Sequence, residues 1–271
     1  MKIPNLFKFA LIGIGIACLV VFGVFAKKWI SGKENVAVSA SSIATVNSGQ
    51  FAHYYDNKAI KLKNIRIDYV YFVPKELEYE SYPEWQKTFD LASKDLKLFF
   101  ETQFGDFINI ENKIYIKPVI GLNETSYYNG ENTDRGNPNG LLRIEEELNK
   151  RLYSESGDLY DAAFKKSENT VLAIIYEGVG ASGSGEDRTF MLAREFLTRE
   201  PIKSTYGITF LAHEFAHALG MPDFSHKQQD ELDPEVVFTS DDLMGSGRYK
   251  PLKYTYLSGE IKTHMISHEA D

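Results

Sequence analysis

Residues 213–223 read HEFAHALGMPD, and this stretch decides how the rest of the chain is interpreted. Helix-start signals occur at Ser204 or Thr205, and Gly220 followed by Pro222 marks the end of the helix. The sequence therefore predicts an amphipathic helix that carries most of this stretch.

The two faces of this predicted helix differ in chemistry. At about 100° per residue, an apolar stripe is formed by Ile208, Leu211, Phe215 and Leu219. His213 and His217 are four residues apart and lie together on the opposite face. Two neutral imidazoles at this spacing can bind one Zn²⁺ at about 2.0–2.1 Å, whereas Glu214, offset by one residue, can stand beside the metal as a general base. The alternative is a pair of surface histidines with a surface glutamate.

The residues that follow carry a resemblance to a known family. The stretch 213–223, followed by DLMG at residues 242–245, resembles the metzincin clan of zinc peptidases, with its H-E-x-x-H-x-x-G-x-x-H/D signature and Met-containing turn. The Gly-x-Pro-Asp ending and DLMGSG look closest to immune-inhibitor-A-type secreted bacterial peptidases. The resemblance implies a zincin-like α+β catalytic domain with a twisted mixed sheet, a backing helix and an active-site helix.

The resemblance also implies a ligand set for zinc. Gly220 can adopt a positive φ and turn the chain back toward the metal, so that Asp223 becomes the third ligand. Most of the clan has histidine at the position of Asp223, and some members have aspartate. Met244 lies by resemblance beneath the zinc as a hydrophobic floor.

Other third ligands remain open. His226 is only three residues beyond Asp223. A distant glutamate such as Glu231 or Glu235 would give a thermolysin-like arrangement, which Gly220 and the Met-containing turn argue against.

By resemblance, the activity is that of a zinc-dependent endopeptidase acting on peptides or proteins. Zinc with three protein ligands keeps a position for water and lowers the pKa of that water to about 7, and Glu214 accepts its proton. Tyr249 is the candidate for stabilising the intermediate, although it lies five residues after Met244. The alternatives are a catalytically inactive, membrane-anchored binding module of the same fold and a metallohydrolase for non-peptide substrates.

The N-terminal segment predicts a membrane anchor. Residues 9–26 are all apolar or small, and about 18 such residues can just span a bilayer. We therefore expect a transmembrane signal anchor at 1–28, a flexible stalk at 29–55 and a zinc peptidase domain at 56–271 outside the cytoplasm. A cleaved signal peptide, or lipidation at Cys18, is the alternative.

The net charge and the single cysteine argue against several other classes of function. The net charge of −8 argues against a nucleic-acid partner. Cys18 is the single cysteine, which excludes a disulfide framework and a thiolate metal site in the folded domain.

Apolar periodicity predicts the elements that precede the histidine-bearing helix. Strands are predicted at 65–73, around Ile114 and Ile116, at 171–176 and, as an edge strand, at 189–197. Helices are predicted after a capping box at 81–84, ending at Gly105, and at 141–152. Loops are predicted at 123–139 and, rich in glycine, at 178–185.

Overall fold

The described part of the chain is a mixed β-sheet with helices on both faces. The computed structural model describes residues 64–130, 136–185, 187–221, 241–259 and 261–262. The predicted anchor at 1–28 and stalk at 29–55 lie outside these residues, as does the predicted start of the domain at 56. None of the helices in the described ranges is long and apolar enough to cross a membrane.

The sheet has six strands in the described residues. They are β1 (Asn64–Val73), β2 (Asn109–Ile114), β3 (Val119–Ile120), β4 (Thr170–Tyr176), β5 (Ala181–Ser184) and β6 (Thr189–Ala193). The helices are α1 (Trp85–Phe104), α2 (Thr125–Asn129), α3 (Pro138–Arg151), α4 (Glu195–Thr198) and α5 (Ile208–Ala218). The strand order is β2-β1-β4-β6-β5, and β3 extends the pairing along β1. The strand pairs are parallel except for β5, which runs antiparallel to β6 at the edge.

The central strand β1 is buried on both faces. Its odd-numbered residues, from Ile65 to Val73, pack in a core with α1 and α5, whereas Val70 and Phe72 pack with α3 on the other face. The alternation in the sequence therefore marks the residues that face one of the two cores. Val70 and Phe72, which lie between them, are also buried, in the core on the other face. The mixed sheet with helices packed on it fits the predicted zincin-like arrangement, and helices pack on both of its faces.

The backing helix α1 holds α5 in place. Phe215 of α5 packs edge-on against Phe100 of α1, with ring centroids 4.7 Å apart. On its other side, Phe215 contacts Phe190 of β6 at 5.7 Å. The helix that carries the histidines is therefore wedged between the backing helix and the sheet.

The predicted capping box at 81–84 is wrong. The N-cap of α1 is Glu84, and no side chain caps the helix. The reason is that Tyr82 lies outside the helix, where its N–H donates to the Tyr71 hydroxyl at 2.9 Å. The end of the helix at Gly105 is as predicted.

The start of α5 also differs from the prediction. A wide π-helical turn at Lys203–Gly207 leads into α5. The hydroxyls of Ser204 and Thr205 donate back to the Pro201 carbonyl, at 3.1 and 2.8 Å, instead of capping the helix.

Two strand predictions need correction, and the second affects the site. Ile116 lies beyond the end of β2 and is 68% exposed. The predicted edge strand, β6, is buried along its whole length between β4 and β5. The edge strand is β5, inside the glycine-rich segment, because β6 is the one strand with which it pairs in the described sheet. The predicted loop at 123–139 contains α2.

Candidate metal centre

Two imidazoles from α5 face each other at the surface of the sheet. His213 is buried and His217 is half-buried. Their Nε2 atoms lie 3.1 Å apart, and the ring planes are inclined by 82°. The four-residue spacing therefore brings both Nε2 atoms to one point.

The other ring nitrogen of each histidine is bonded to a backbone carbonyl. His213 Nδ1 lies 3.0 Å from the Leu243 carbonyl oxygen, and His217 Nδ1 lies 2.7 Å from that of Met221. A carbonyl only accepts, so each Nδ1 must carry the proton and donate it. In the neutral rings, both Nε2 atoms then present lone pairs to each other.

This arrangement fits a zinc ion. Two lone pairs at 3.1 Å repel unless a cation or a proton lies between them. Two ligand nitrogens at the usual distance from a tetrahedral zinc are about 3.3 Å apart, close to the separation here. Carbonyl partners on the second ring nitrogen are also typical of metal-binding histidines.

The turn after α5 supplies one of these carbonyls. Gly220 has φ of +90°, a conformation that side chains with a Cβ rarely adopt. The turn is closed by Gly220 N–H donating to the His217 carbonyl at 2.9 Å and Met221 N–H donating to that of Ala216 at 3.1 Å. Gly220 thus reverses the chain and brings the Met221 carbonyl back to His217.

The candidates for a third ligand lie outside the residues that the structure describes. Within the described ranges, no group of three His, Cys, Asp or Glu side chains could hold a metal ion. The predicted ligand Asp223 and its rivals His226, Glu231 and Glu235 all fall in the undescribed segment 222–240.

Glu214 is buried beside the edge strand. A Cβ atom on Gly183 of β5 would lie 3.3 Å from Glu214 Oε2 and 2.6 Å from His217 Cβ. Position 183 therefore requires glycine, because β5 passes α5 closely there. Both the Glu214 carboxylate and His217 lie next to Gly183.

Met244 is fully buried in a turn that Asp242 holds together. Asp242 Oδ1 accepts from Met244 N–H at 2.8 Å, and its backbone carbonyl accepts from Gly245 N–H at 3.0 Å. Asp242 Oδ2 accepts from Ser258 N–H at 2.8 Å, while burial raises the pKa of this carboxyl. Because the Leu243 carbonyl within this turn accepts a hydrogen bond from His213, the turn is directly attached to that histidine.

Tyr249, the residue predicted to stabilise the intermediate, packs against other aromatic rings. Its side chain is 57% exposed, and its ring packs against Phe210 at 5.6 Å and Tyr206 at 6.3 Å. The preceding residue, Arg248, has Nη1 at 3.5 Å from His213 Nε2.

Four participants in this site are not predicted from the sequence, namely the Leu243 and Met221 carbonyls, Gly183 and Arg248. The carbonyls have no sequence signal, because any residue supplies one. The glycines in the segment 178–185 are visible in the sequence, but they predict a loop. Arg248 could have been found only by noticing a cation just after the Met-containing turn.

Comparisons with known proteins give distant fold likenesses only. The sequence matches no protein-family model and no curated protein. Archaemetzincin from Methanopyrus kandleri aligns with a TM-score of 0.37 and 10% identity, covering 77% of this chain and 97% of that chain. Metalloproteinase-II from Bacteroides fragilis aligns with a TM-score of 0.37 and 13% identity, covering 85% and 71%. The functional interpretation therefore depends on the geometry of the site.

The ligand assignment predicts the zinc affinity of point variants of the full-length chain. His213→Ala and His217→Ala are each expected to lower it by more than about 100-fold, the most that loss of an outer-shell partner costs. Asp223→Ala should have a similar effect, whereas His226→Ala, the matched control, should stay within a few-fold of wild type. Competition with a chromophoric chelator measures the affinity.

Circular dichroism of each variant would establish that the fold is retained. Wild-type affinity in either His213→Ala or His217→Ala contradicts the site. Loss in His226→Ala, together with full affinity in Asp223→Ala, would move the third ligand to His226.

Proposed function

We propose that this chain is a zinc-dependent endopeptidase of zincin-like fold, with His213, His217 and Asp223 as metal ligands. The observation that carries the proposal is the pair of Nε2 atoms 3.1 Å apart, each on a ring whose Nδ1 donates to a backbone carbonyl. The narrower likeness to immune-inhibitor-A-type peptidases stays a prediction from the two sequence motifs.

Glu214 is the general base in this proposal. When bound, zinc supplies a Lewis acid that polarises the scissile carbonyl and lowers the pKa of water to about 7. Glu214 accepts the proton of the attacking water and then holds it for the leaving amine. Its carboxylate is suited to this role because it is buried beside His217 rather than solvated.

The edge strand β5 favours an extended peptide as the substrate. Ala193 N–H donates to the Gly180 carbonyl at 2.9 Å, which fixes the alternation of hydrogen bonds between β5 and β6. By that alternation, the backbone N–H and C=O of Gly183 point away from β6. A peptide strand added at Gly183 would pass directly beside Glu214 and His217.

This arrangement also favours peptide hydrolysis over the two alternative functions, an inactive binding module and a metallohydrolase for non-peptide substrates. A binding module of the same fold needs the edge strand but has no use for a buried carboxylate beside the two imidazoles. A metallohydrolase for non-peptide substrates needs the carboxylate but not a strand edge beside it. At Gly183 the edge strand lies directly beside the Glu214 carboxylate, and this combination favours a peptidase.

Glu214→Ala is expected to retain zinc and fold but to lose peptide hydrolysis by about 10²–10⁴-fold, the usual contribution of a general base. Cleavage of an internally quenched peptide library by the zinc-loaded full-length chain measures this effect. Glu195→Ala, at a partly exposed carboxylate paired with Arg199, is the matched control and should cleave normally.

Hydrolysis near the wild-type rate in Glu214→Ala would refute its role as the base. If the wild-type chain binds zinc and cleaves no peptide in the library, that result would favour the alternative function of a catalytically inactive binding module.

We also propose that residues 9–26 anchor the chain in a membrane with the catalytic domain outside the cytoplasm. The support is the uncharged apolar run itself, which Lys2 and Lys8 precede and Lys27 and Lys28 follow, so that charged residues flank it on both sides. An anchor of about 18 apolar residues holds far more tightly than a single lipid chain.

The membrane proposal predicts that alkaline carbonate does not release the chain from the membrane fraction. Protease added to intact cells or spheroplasts should degrade the catalytic domain. A mature protein that begins after Ala26 and accumulates in the medium would contradict the anchor.

A further inference from the structure

Arg248 places a permanent positive charge beside the two imidazoles. Its Nη1 lies 3.5 Å from His213 Nε2, the atom that faces His217 Nε2 and that we propose as a metal ligand. The guanidinium carbon lies 5.2 Å from the centre of the Tyr249 ring. The charge is therefore at the edge of the proposed zinc site.

The backbone on both sides of Arg248 is tied to the site. On one side, Gly247 N–H donates to the Asp242 carbonyl at 2.9 Å, which joins the segment to the Met-containing turn. On the other side, the buried Thr209 hydroxyl donates to the Lys250 carbonyl at 2.6 Å, which joins it to α5. Arg248 thus leaves the backbone between two fixed points, and its position follows from the fold.

A cation at this position has a chemical consequence. When zinc is bound, an oxygen that gains negative charge between the metal and the guanidinium would be attracted by both cations. Guanidinium presents five N–H donors in a planar fork and binds oxygen anions well. During hydrolysis of an amide, the carbonyl oxygen gains negative charge, and donors aimed at that oxygen accelerate the reaction.

We propose that Arg248 is a further catalytic residue that donates a hydrogen bond to the scissile carbonyl oxygen as that oxygen gains negative charge. The role rests on the proposed peptidase function. Arg248 keeps its proton throughout, and no covalent bond forms or breaks at its side chain. Tyr249 supports the guanidinium with its ring, which is itself packed against Phe210 at 5.6 Å.

The first test is the kinetics of Arg248→Met in the zinc-loaded full-length chain, with an internally quenched peptide blocked at both ends. We expect kcat to fall by about 10²–10³-fold, the loss measured for one oxyanion donor, with KM within a few-fold of wild type. Arg248→Lys should recover part of kcat. Arg199→Met, at a side chain that is 67% exposed, is the matched control and should match wild type.

Two binding measurements provide readouts other than turnover. Zinc affinity of Arg248→Met should equal or exceed that of wild type, because a positive charge is removed from beside the metal. A phosphinate peptide, which mimics the charged tetrahedral oxygen, should bind the zinc-loaded variant more weakly by about the factor lost in kcat. Isothermal titration calorimetry measures this affinity.

Wild-type kcat in Arg248→Met would overturn the proposal, as would a loss confined to peptides with a free C-terminal carboxylate. A loss of kcat in Tyr249→Phe larger than that in Arg248→Met would move the role to Tyr249. If the wild-type chain cleaves no peptide, the peptidase proposal fails on its own account. The phosphinate titration then decides the role of Arg248, and equal affinity in wild type and Arg248→Met rejects it.

Discussion

The site depends on two hydrogen bonds from imidazole Nδ1 atoms to backbone carbonyls. They orient both rings and fix their tautomers, so that the Nε2 lone pairs of His213 and His217 meet 3.1 Å apart. The carbonyls come from different segments, Leu243 in the Met-containing turn and Met221 in the turn after α5. The fold therefore orients both Nε2 atoms toward one point, and both turns contribute a carbonyl to that orientation.

A second constraint is the close approach of α5 to the edge of the sheet. Phe215 fixes the helix from behind through Phe100 and Phe190, while Gly183 lets β5 pass directly beside His217 and Glu214. A side chain at Gly183 would collide with His217 Cβ at 2.6 Å. The same contact that positions the helix thus places a strand edge, with outward-pointing backbone groups, next to the proposed base.

Much of this arrangement is predictable from the sequence, and the rest has physical reasons for escaping prediction. The four-residue spacing of the histidines and the apolar runs of β1 and β4 predict the histidine-bearing helix and the central strands. The strand at Ala181–Ser184 has only small side chains, which show no apolar periodicity, so only its pairing with β6 identifies it as the edge strand. Arg248 reaches His213 because the turn at Asp242 folds the chain back, a geometry that sequence spacing does not encode.

Zinc K-edge X-ray absorption on the purified full-length chain identifies the atoms that bind the metal. We predict four-coordinate zinc with two imidazole nitrogens at about 2.0–2.1 Å and oxygen ligands completing the shell. The signal of the two imidazoles should disappear when both histidines are replaced. A chain that retains no zinc, or a zinc shell without imidazole, would contradict the account.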